Sequence, residues 1–282
     1  MKTTIELMSR GDLEFCAEQA RREGWNPGLH DMDVFYETDP SGWFKAVDDQ
    51  GRIIGSISAV AYDAQFGFVG FFVVRPEWRG GRVGLELGGA AFEHLGGRVI
   101  GQDGVFAKVA NYETWGFELA YRNLRYEWRD GSLPSDPGVA TQPYSPDMRS
   151  GILAFDEGLF PCRRDSFLKR WLAMPEAVIR TSVRDGKLTG WGLRRRCVSG
   201  WKIGPLLAGD AVTAAALLRD LLAGAEPQVP VYLDVPEVNE DAVRLAESFG
   251  MKQCFGTARM YKNGMPDLDV SRLFGVTSFE LG

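Results

Sequence analysis

Apolar and polar residues recur along this chain with two periods, and the switches between them mark a succession of strands and helices. Thr3 to Leu7 reads as a strand, and Leu13, Ala17 and Ala20 share one face of a helix that Asp12 caps and that runs to about Glu23. A second helix is predicted over His30 to Tyr36. Trp43 to Val47 and Ile53 to Ala61 read as strands flanking Asp48-Asp49-Gln50-Gly51, residues that suit a hairpin turn. Phe66 to Val74 is a very apolar strand stopped at Arg75-Pro76. Val83, Leu87, Ala91 and Leu95 then repeat at helical spacing. A short strand at Val99, a helix ending at Trp115 with Gly116 as its stop, and a strand from Glu118 to Trp128 complete the first half.

Positions 130 to 147 break the pattern. Pro134, Pro137, Pro143 and Pro146 are interspersed there with Gly, Ser and Asp, the composition of a linker. The theme then returns. Helices are predicted near Met148 to Ala154 and Asp165 to Ala173, and hairpin strands at Ala177 to Val183 and Thr189 to Arg195 across Asp185-Gly186. A strand at Trp201 to Leu206, a helix at Asp210 to Leu222, a strand at Val229 to Val235 and a helix at Asn239 to Phe249 follow, and strands finish the chain. Pro76 and Pro205, then Gly116-Phe117 and Gly250-Met251, recur at matching places in the two halves. The expectation is an α/β protein with a first domain over 1–130, a linker over 131–147 and a related second domain over 148–282.

Composition narrows the partners. The 282 residues are 45% hydrophobic and 25% charged, enough apolar material for two cores. The net charge of -6 and the lack of a Lys/Arg block argue against a nucleic-acid partner and lean toward cationic substrates. Cys16, Cys162, Cys197 and Cys254 are scattered, so free thiols are expected and no metal site. His94 lies beside Leu95 in a helix, where a structural role is expected. Met1 to Leu7 holds no apolar leader core and no run is long enough to span a bilayer, so a cytoplasmic protein without a membrane partner is expected.

The chemistry concentrates in one stretch, Phe71-Phe72-Val73-Val74-Arg75-Pro76-Glu77-Trp78-Arg79-Gly80-Gly81-Arg82-Val83-Gly84. A strand enters a glycine-rich turn that opens a helix, and successive amides in such a turn make an anion-binding nest. Glycine lets the backbone approach a pyrophosphate closely, and Arg79 and Arg82 add charge. No Gly-Lys-Ser/Thr follows, which excludes a Walker loop, and no Gly-x-Gly-x-x-Gly is present.

This stretch resembles the pyrophosphate motif of the GCN5-related N-acetyltransferases (GNAT), Gln/Arg-x-x-Gly-x-Gly/Ala, with Arg79 at its first position, Gly84 at its last and Arg82 in place of the central glycine. Asn111-Tyr112-Glu113-Thr114-Trp115-Gly116-Phe117 is similar to the Tyr-x-x-x-Gly-Phe that ends the same domain. The asparagine usual seven residues before that tyrosine is replaced by Val105. In the second half the asparagine is present as Asn239 while Ala246 holds the tyrosine's place, and the turn reads Gly204-Pro205-Leu206-Leu207-Ala208-Gly209-Asp210 without arginines. The whole chain resembles tandem GNAT proteins of the YitH type. Segments such as Ile203-Gly204-Pro205-Leu206, Asp234-Val235-Pro236-Glu237, Thr257-Ala258-Arg259-Met260-Tyr261 and the terminal Phe279-Glu280-Leu281-Gly282 carry that likeness.

The resemblance implies two GNAT-like domains, each a mixed twisted sheet flanked by helices, with the cofactor signature intact only in the first. It implies acetyl-CoA as cosubstrate and an amine as acceptor, attacked directly in a ternary complex. The backbone of Phe72, Val73, Val74, Arg79, Gly80, Gly81, Arg82, Val83 and Gly84 would bind the donor, amides near Val73 would face the oxyanion, and Tyr112 would protonate the leaving thiolate. Glu37, Asp63 and a water chain all remain open as the base. Asp234, Glu237 and Glu280 are candidates for an acidic acceptor pocket, against the competing reading of structural or solvated carboxylates. Asn239 reads as a helix N-cap, and Arg194-Arg195-Arg196 as a solvated strand edge. The alternative to an enzyme is a non-catalytic acyl-CoA sensor.

Overall fold

The computed structural model describes residues 3–129 and 133–282; positions 1, 2 and 130–132, which fall in the predicted first domain and at the head of the linker, lie outside the described residues. In chain order the elements of the first half are β1 (Thr4–Leu7), α1 (Leu13–Arg22), α2 (Asp31–Thr38), β2 (Trp43–Val47), β3 (Ile53–Ala61), β4 (Phe66–Val74), α3 (Val83–Leu95), β5 (Val99–Val105), α4 (Val109–Glu113) and β6 (Glu118–Trp128). Those of the second half are β7 (Gln142–Pro143), α5 (Arg149–Asp156), α6 (Asp165–Trp171), β8 (Val178–Arg184), β9 (Lys187–Arg196), β10 (Trp201–Ala208), α7 (Ala211–Leu222), β11 (Val231–Pro236), α8 (Glu240–Ser248), β12 (Lys252–Lys262) and β13 (Leu273–Gly275).

Local chemistry accounts for the boundaries. Between β2 and β3 the Asp48 carboxylate accepts from the amides of Gln50 at 3.0 Å and Arg52 at 2.9 Å, while Gly51 takes φ of +77°. Asp210 caps α7 through the Thr213 amide at 2.7 Å, and Asn239 caps α8 through the Ala242 amide at 3.2 Å. Asp12 does not cap α1. Its carboxylate turns back to the Ser9 amide at 2.7 Å and to Lys45 at 2.9 Å, where an ion pair outcompetes a cap.

The strands form one mixed sheet, ordered β1-β2-β3-β4-β5-β12-β6-β11-β10-β9-β8-β7, with β13 alongside β10. Each half contributes its last long strand to the other's side. β12 pairs with β5 through Thr257↔Val105, and β6 pairs with β11 through Leu233↔Tyr126. Leu87, Ala91 and Leu95 of α3 pack on one face with Ile57, Val69 and Ile100. Leu217 and Leu221 of α7 cover Ile203, Leu206 and Leu233 in the same way. The other face carries a core shared by both halves, in which Phe35 of α2 stacks on Trp171 of α6 at 5.9 Å and 11°.

Two of the three arginines in the run overturn the sequence expectation of a solvated edge, while Arg196 keeps to it, its side chain 37% exposed and paired with Glu226. Arg195 is fully buried, its Nε 2.8 Å from Asp31 Oδ1 and its guanidinium 4.6 Å from the Trp171 ring. Arg194 is buried as well, donating from Nη1 to the Leu221 carbonyl at 2.6 Å. Strand alternation alone does not reveal this, because both faces of this sheet are covered by helices.

Candidate functional site

The site opens where two parallel strands separate. β4 and β5 pair from Phe66↔Val99 to Val69↔Gln102 and no further, although β4 continues to Val74. The divergence follows a bulge. The β3–β4 register shifts between Ser56 and Ser58, and Phe71 stands at φ of +45°, a value rare for a bulky residue. Beyond it, the side of β4 facing β5 has no strand partner among the described residues.

A cavity of about 700 Å³ fills this cleft. At one end lies the turn before α3, in which Gly80 has φ of +79°. Phe72, Val73, Val74, Arg79, Gly80, Gly81, Gly84 and Tyr112 all line the cavity. Arg82 and Val83 do not: the Arg82 side chain is 88% exposed beside Glu86, and Val83 packs into the core beneath α3. Arg79 donates from Nε to the Val74 carbonyl at 2.8 Å and pairs with Glu23. The glycines leave room. A Cβ on Gly84 would meet nothing nearer than the Phe72 ring at 3.5 Å, and the Tyr112 ring lies flush on Gly104 of β5, where a Cβ would come within 2.4 Å of it. Burial pushes the Tyr112 hydroxyl pKa up, so it stays protonated at neutral pH.

Of the predicted acidic trio, the structure brings only Glu280 to this cavity. Asp234 is a buried partner of Arg125, with Oδ1 at 2.6 Å from Nε and Oδ2 at 2.8 Å from Nη2. Glu237 is exposed in the turn after β11. The open base candidates also lie elsewhere: Glu37 pairs with Arg10 at 3.0 Å, and Asp63 accepts from the amides of Gln65 and Phe66 at 2.8 Å. His94 meets Asp39 at 2.7 Å, a structural contact.

Several lining residues escaped the sequence reading. Lys108 faces the cavity just before α4 and makes no ion pair among the described residues. Trp25, Phe255, Thr257 and Phe279 wall it from α1's end, β12 and the C-terminal segment. Phe255 and Thr257 stand two apart on a strand, hence on one face, a signal that becomes readable only once the neighbour of β12 is known.

The second half contains an equivalent parting, filled by its own chain. β10 and β11 pair only from Trp201↔Val231 to Ile203↔Leu233. Next along β10, β13 takes over through Leu206↔Gly275, and the Val276 amide donates to the Asp234 carbonyl of β11 at 2.8 Å. Asn239 holds this segment by donating from Nδ2 to the carbonyls of Val270 at 3.0 Å and Leu273 at 3.0 Å. At the start of α7, the Asp210 carboxylate already occupies the anion position. Among the described residues no cluster of three or more His, Cys, Asp or Glu side chains is placed to hold a metal ion, and no helix is long and apolar enough to cross a membrane.

Residues 12–117 match the model of the acetyltransferase (GNAT) family, and residues 152–275 match that of an acetyltransferase (GNAT) domain. A relative named holothin acyltransferase, from Pseudoalteromonas sp. (strain SANK 73390), is 28% identical over 99% of this chain and 94% of its own. Among solved structures, a candidate acetyltransferase from Pyrococcus horikoshii superposes with a TM-score of 0.83 at 20% identity, over 99% of this chain and 96% of that one. A tandem GNAT protein from the clavulanic acid biosynthesis pathway superposes with a TM-score of 0.65 at 14% identity, over 94% and 100%. The chain belongs to the GNAT superfamily and carries two of its domains in tandem, which supports an acyl-transfer enzyme.

Proposed function

We propose that this protein transfers the acetyl group of acetyl-CoA to an amine, with the donor held in the first-half cleft alone. The observation that carries this reading is a single cleft running from the glycine turn before α3, along the unpaired edge of β4, past Tyr112. Amides of Arg79, Gly80, Gly81 and Gly84, the turn residues that line the cleft, suit a pyrophosphate at a helix N-terminus, and Lys108 adds positive charge. The edge from Phe72 to Val74 offers N–H and C=O groups to the amides of a pantetheine arm. Acetyl-CoA supplies the thioester, an amine attacks it directly, and amides near Val73 are the candidates to stabilise the oxyanion. Tyr112 protonates the leaving sulfur; an ordinary tyrosine near ~10 lies close enough to a thiol near ~8.5 for the transfer, and the burial that raises the Tyr112 pKa keeps its proton in place until the thiolate forms. The second half holds no donor, since β13 and the Asp210 carboxylate stand where the arm and the phosphates would lie. The free cysteines suit a reducing compartment such as the cytoplasm.

The reading is tested with purified protein, acetyl-CoA and a panel of amines, polyamines, amino acids and peptides, with holothin included because a relative is named for it. CoA release with at least one acceptor is the expected result. Donor binding with no turnover across the panel would favour a sensor. Gly84→Glu provides a sharper check. Glu is a better helix former than Gly, and the site has room for a Cβ, so the fold should hold. The longer, like-charged side chain then reaches into the cleft, and acetyl-CoA affinity by calorimetry should drop more than tenfold, over ~1.4 kcal/mol. Unchanged affinity would move the phosphate site elsewhere.

A further inference from the structure

Glu23, Asp103 and Glu280 are the acidic residues among those lining the cavity, and the carboxylates of two of them are committed. Glu23 pairs with Arg79 at the rim. Asp103 is held by Arg259, with Oδ2 at 2.6 Å from Nη2, and by Asn123 Nδ2 at 2.8 Å. Glu280 differs. It is 4% exposed, and its Oε2 has no hydrogen-bond partner among the described residues. Its main chain presses on Gly70, the residue before the β4 bulge: a Cβ there would stand 2.1 Å from the Glu280 carbonyl oxygen.

Building on the acetyltransferase reading above, we propose that Glu280 is the general base that takes the proton from the acceptor amine, and that the filled cleft of the second half is the mount that holds it there. The segment leading to Glu280 is fixed before it arrives. β13 is laced to β10, Val276 to β11, and Asn239 anchors the approach. Gly204 admits the carbonyls of Val276 and Thr277, which a Cβ would meet at 2.7 and 2.4 Å. Phe279 is pinned under the Arg125 guanidinium at 4.7 Å. A parting proposed to take a ligand in one half is thus filled in the other by the chain's own β13 and Val276, and the residues that follow carry a carboxylate across to the first.

The charge environment suits the role. Burial pushes the Glu280 carboxyl up; Lys202 on β10 opposes this, Asp31 on α2 adds to it, and Arg125 on β6 and Arg195 on β9 oppose it. A carboxylate with a raised pKa is a stronger base than an exposed one, and the cations that face it favour its ionised form. Protons balance as follows. An acceptor arriving as an ammonium gives one proton to Glu280, which passes it to solvent. The free amine forms the C–N bond, the C–S bond breaks, and the sulfur leaves with the Tyr112 proton. The nitrogen's remaining surplus proton, carried by water, restores the tyrosine. The aromatic walls Trp25, Phe255 and Phe279 match an amine borne on an apolar, ring-sized body.

The test compares Glu280→Gln and Glu280→Asp with the parent, measuring kcat/KM against pH alongside acetyl-CoA affinity. In the parent, kcat/KM should fall tenfold per pH unit on the acid side, below a pKa above the ~4.3 of an ordinary glutamate. Glu280→Gln keeps the volume and should lose at least ~100-fold near pH 7. Its rate should climb instead with the ionisation of the acceptor itself. Glu280→Asp should retain the parent's acid limb with a smaller loss. Donor affinity should stay within a few-fold throughout. A Gln variant with the parent's rate and profile overturns the proposal, as do Gln and Asp variants that lose activity alike with the parent's profile. Failure of the parent itself to bind acetyl-CoA would instead refute the donor reading, and the base with it.

Discussion

Arg195→Ala should cost about 3–5 kcal/mol of stability, a loss of more than ~100-fold in the folding equilibrium. The substitution strands the Asp31 carboxylate at full burial, where the guanidinium had met both its oxygens at 2.8 and 3.1 Å. It also removes the cation packed on Trp171. The pair joins α2 of the first half to β9 of the second, so the damage falls on the core the halves share. Urea unfolding should therefore show one transition moved to lower midpoint, and not the separate melting of one half. The double variant Arg195→Met with Asp31→Leu should recover much of the loss, since an apolar pair needs no counter-ion. Recovery is incomplete because the Gly28 amide, which donates to Asp31 at 2.9 Å, is left unpaired. A single Arg195→Ala variant as stable as the parent would contradict the assignment of a buried ion pair.

Tyr112→Phe should lower kcat about 100-fold while acetyl-CoA affinity stays within a few-fold of the parent. The ring's contacts survive the change: it lies on Gly104 and makes edge contacts with Trp115 at 6.4 Å and Phe117 at 6.5 Å. What is lost is the hydroxyl that burial keeps protonated. General acids contribute roughly 100- to 10,000-fold, and a thiolate leaves well enough unaided to place this one at the low end. Steady-state kinetics with an acceptor from the amine panel measures the effect. A variant with the parent's kcat would reduce Tyr112 to a packing residue, with the sulfur's proton coming from water or the substrate ammonium.

Legibility tracked how local the cause was. β2, β3, β4, α3 and β6 begin and end where the sequence pattern puts them, because Asp48-Asp49-Gln50-Gly51, Pro76 and the Val83 to Leu95 repeat act within a few residues. The glycine turn was readable for the same reason. Pairing partners were not. Nothing in the alternation of Lys252 to Lys262 says that the strand inserts between β5 and β6, over a hundred residues upstream. β13 read only as one of the strands that finish the chain, and its place beside β10 depends on Asn239 and Gly275 meeting distant surfaces. Arg195 misled because a covered sheet face is a tertiary fact. Glu280 came forward through the terminal tetrapeptide's resemblance, while its place in the cavity follows from the route of the tail across both halves.

The central claim is that one donor binds per chain, in the cleft between β4 and β5. Crystals grown or soaked with acetyl-CoA, paired with calorimetric stoichiometry, test it most directly. The expected result is one molecule per chain, its pyrophosphate at Arg79 to Gly84 and its arm along Phe72 to Val74. Equal occupancy beside Gly204 to Asp210, with β13 displaced, or a stoichiometry of two, would contradict it.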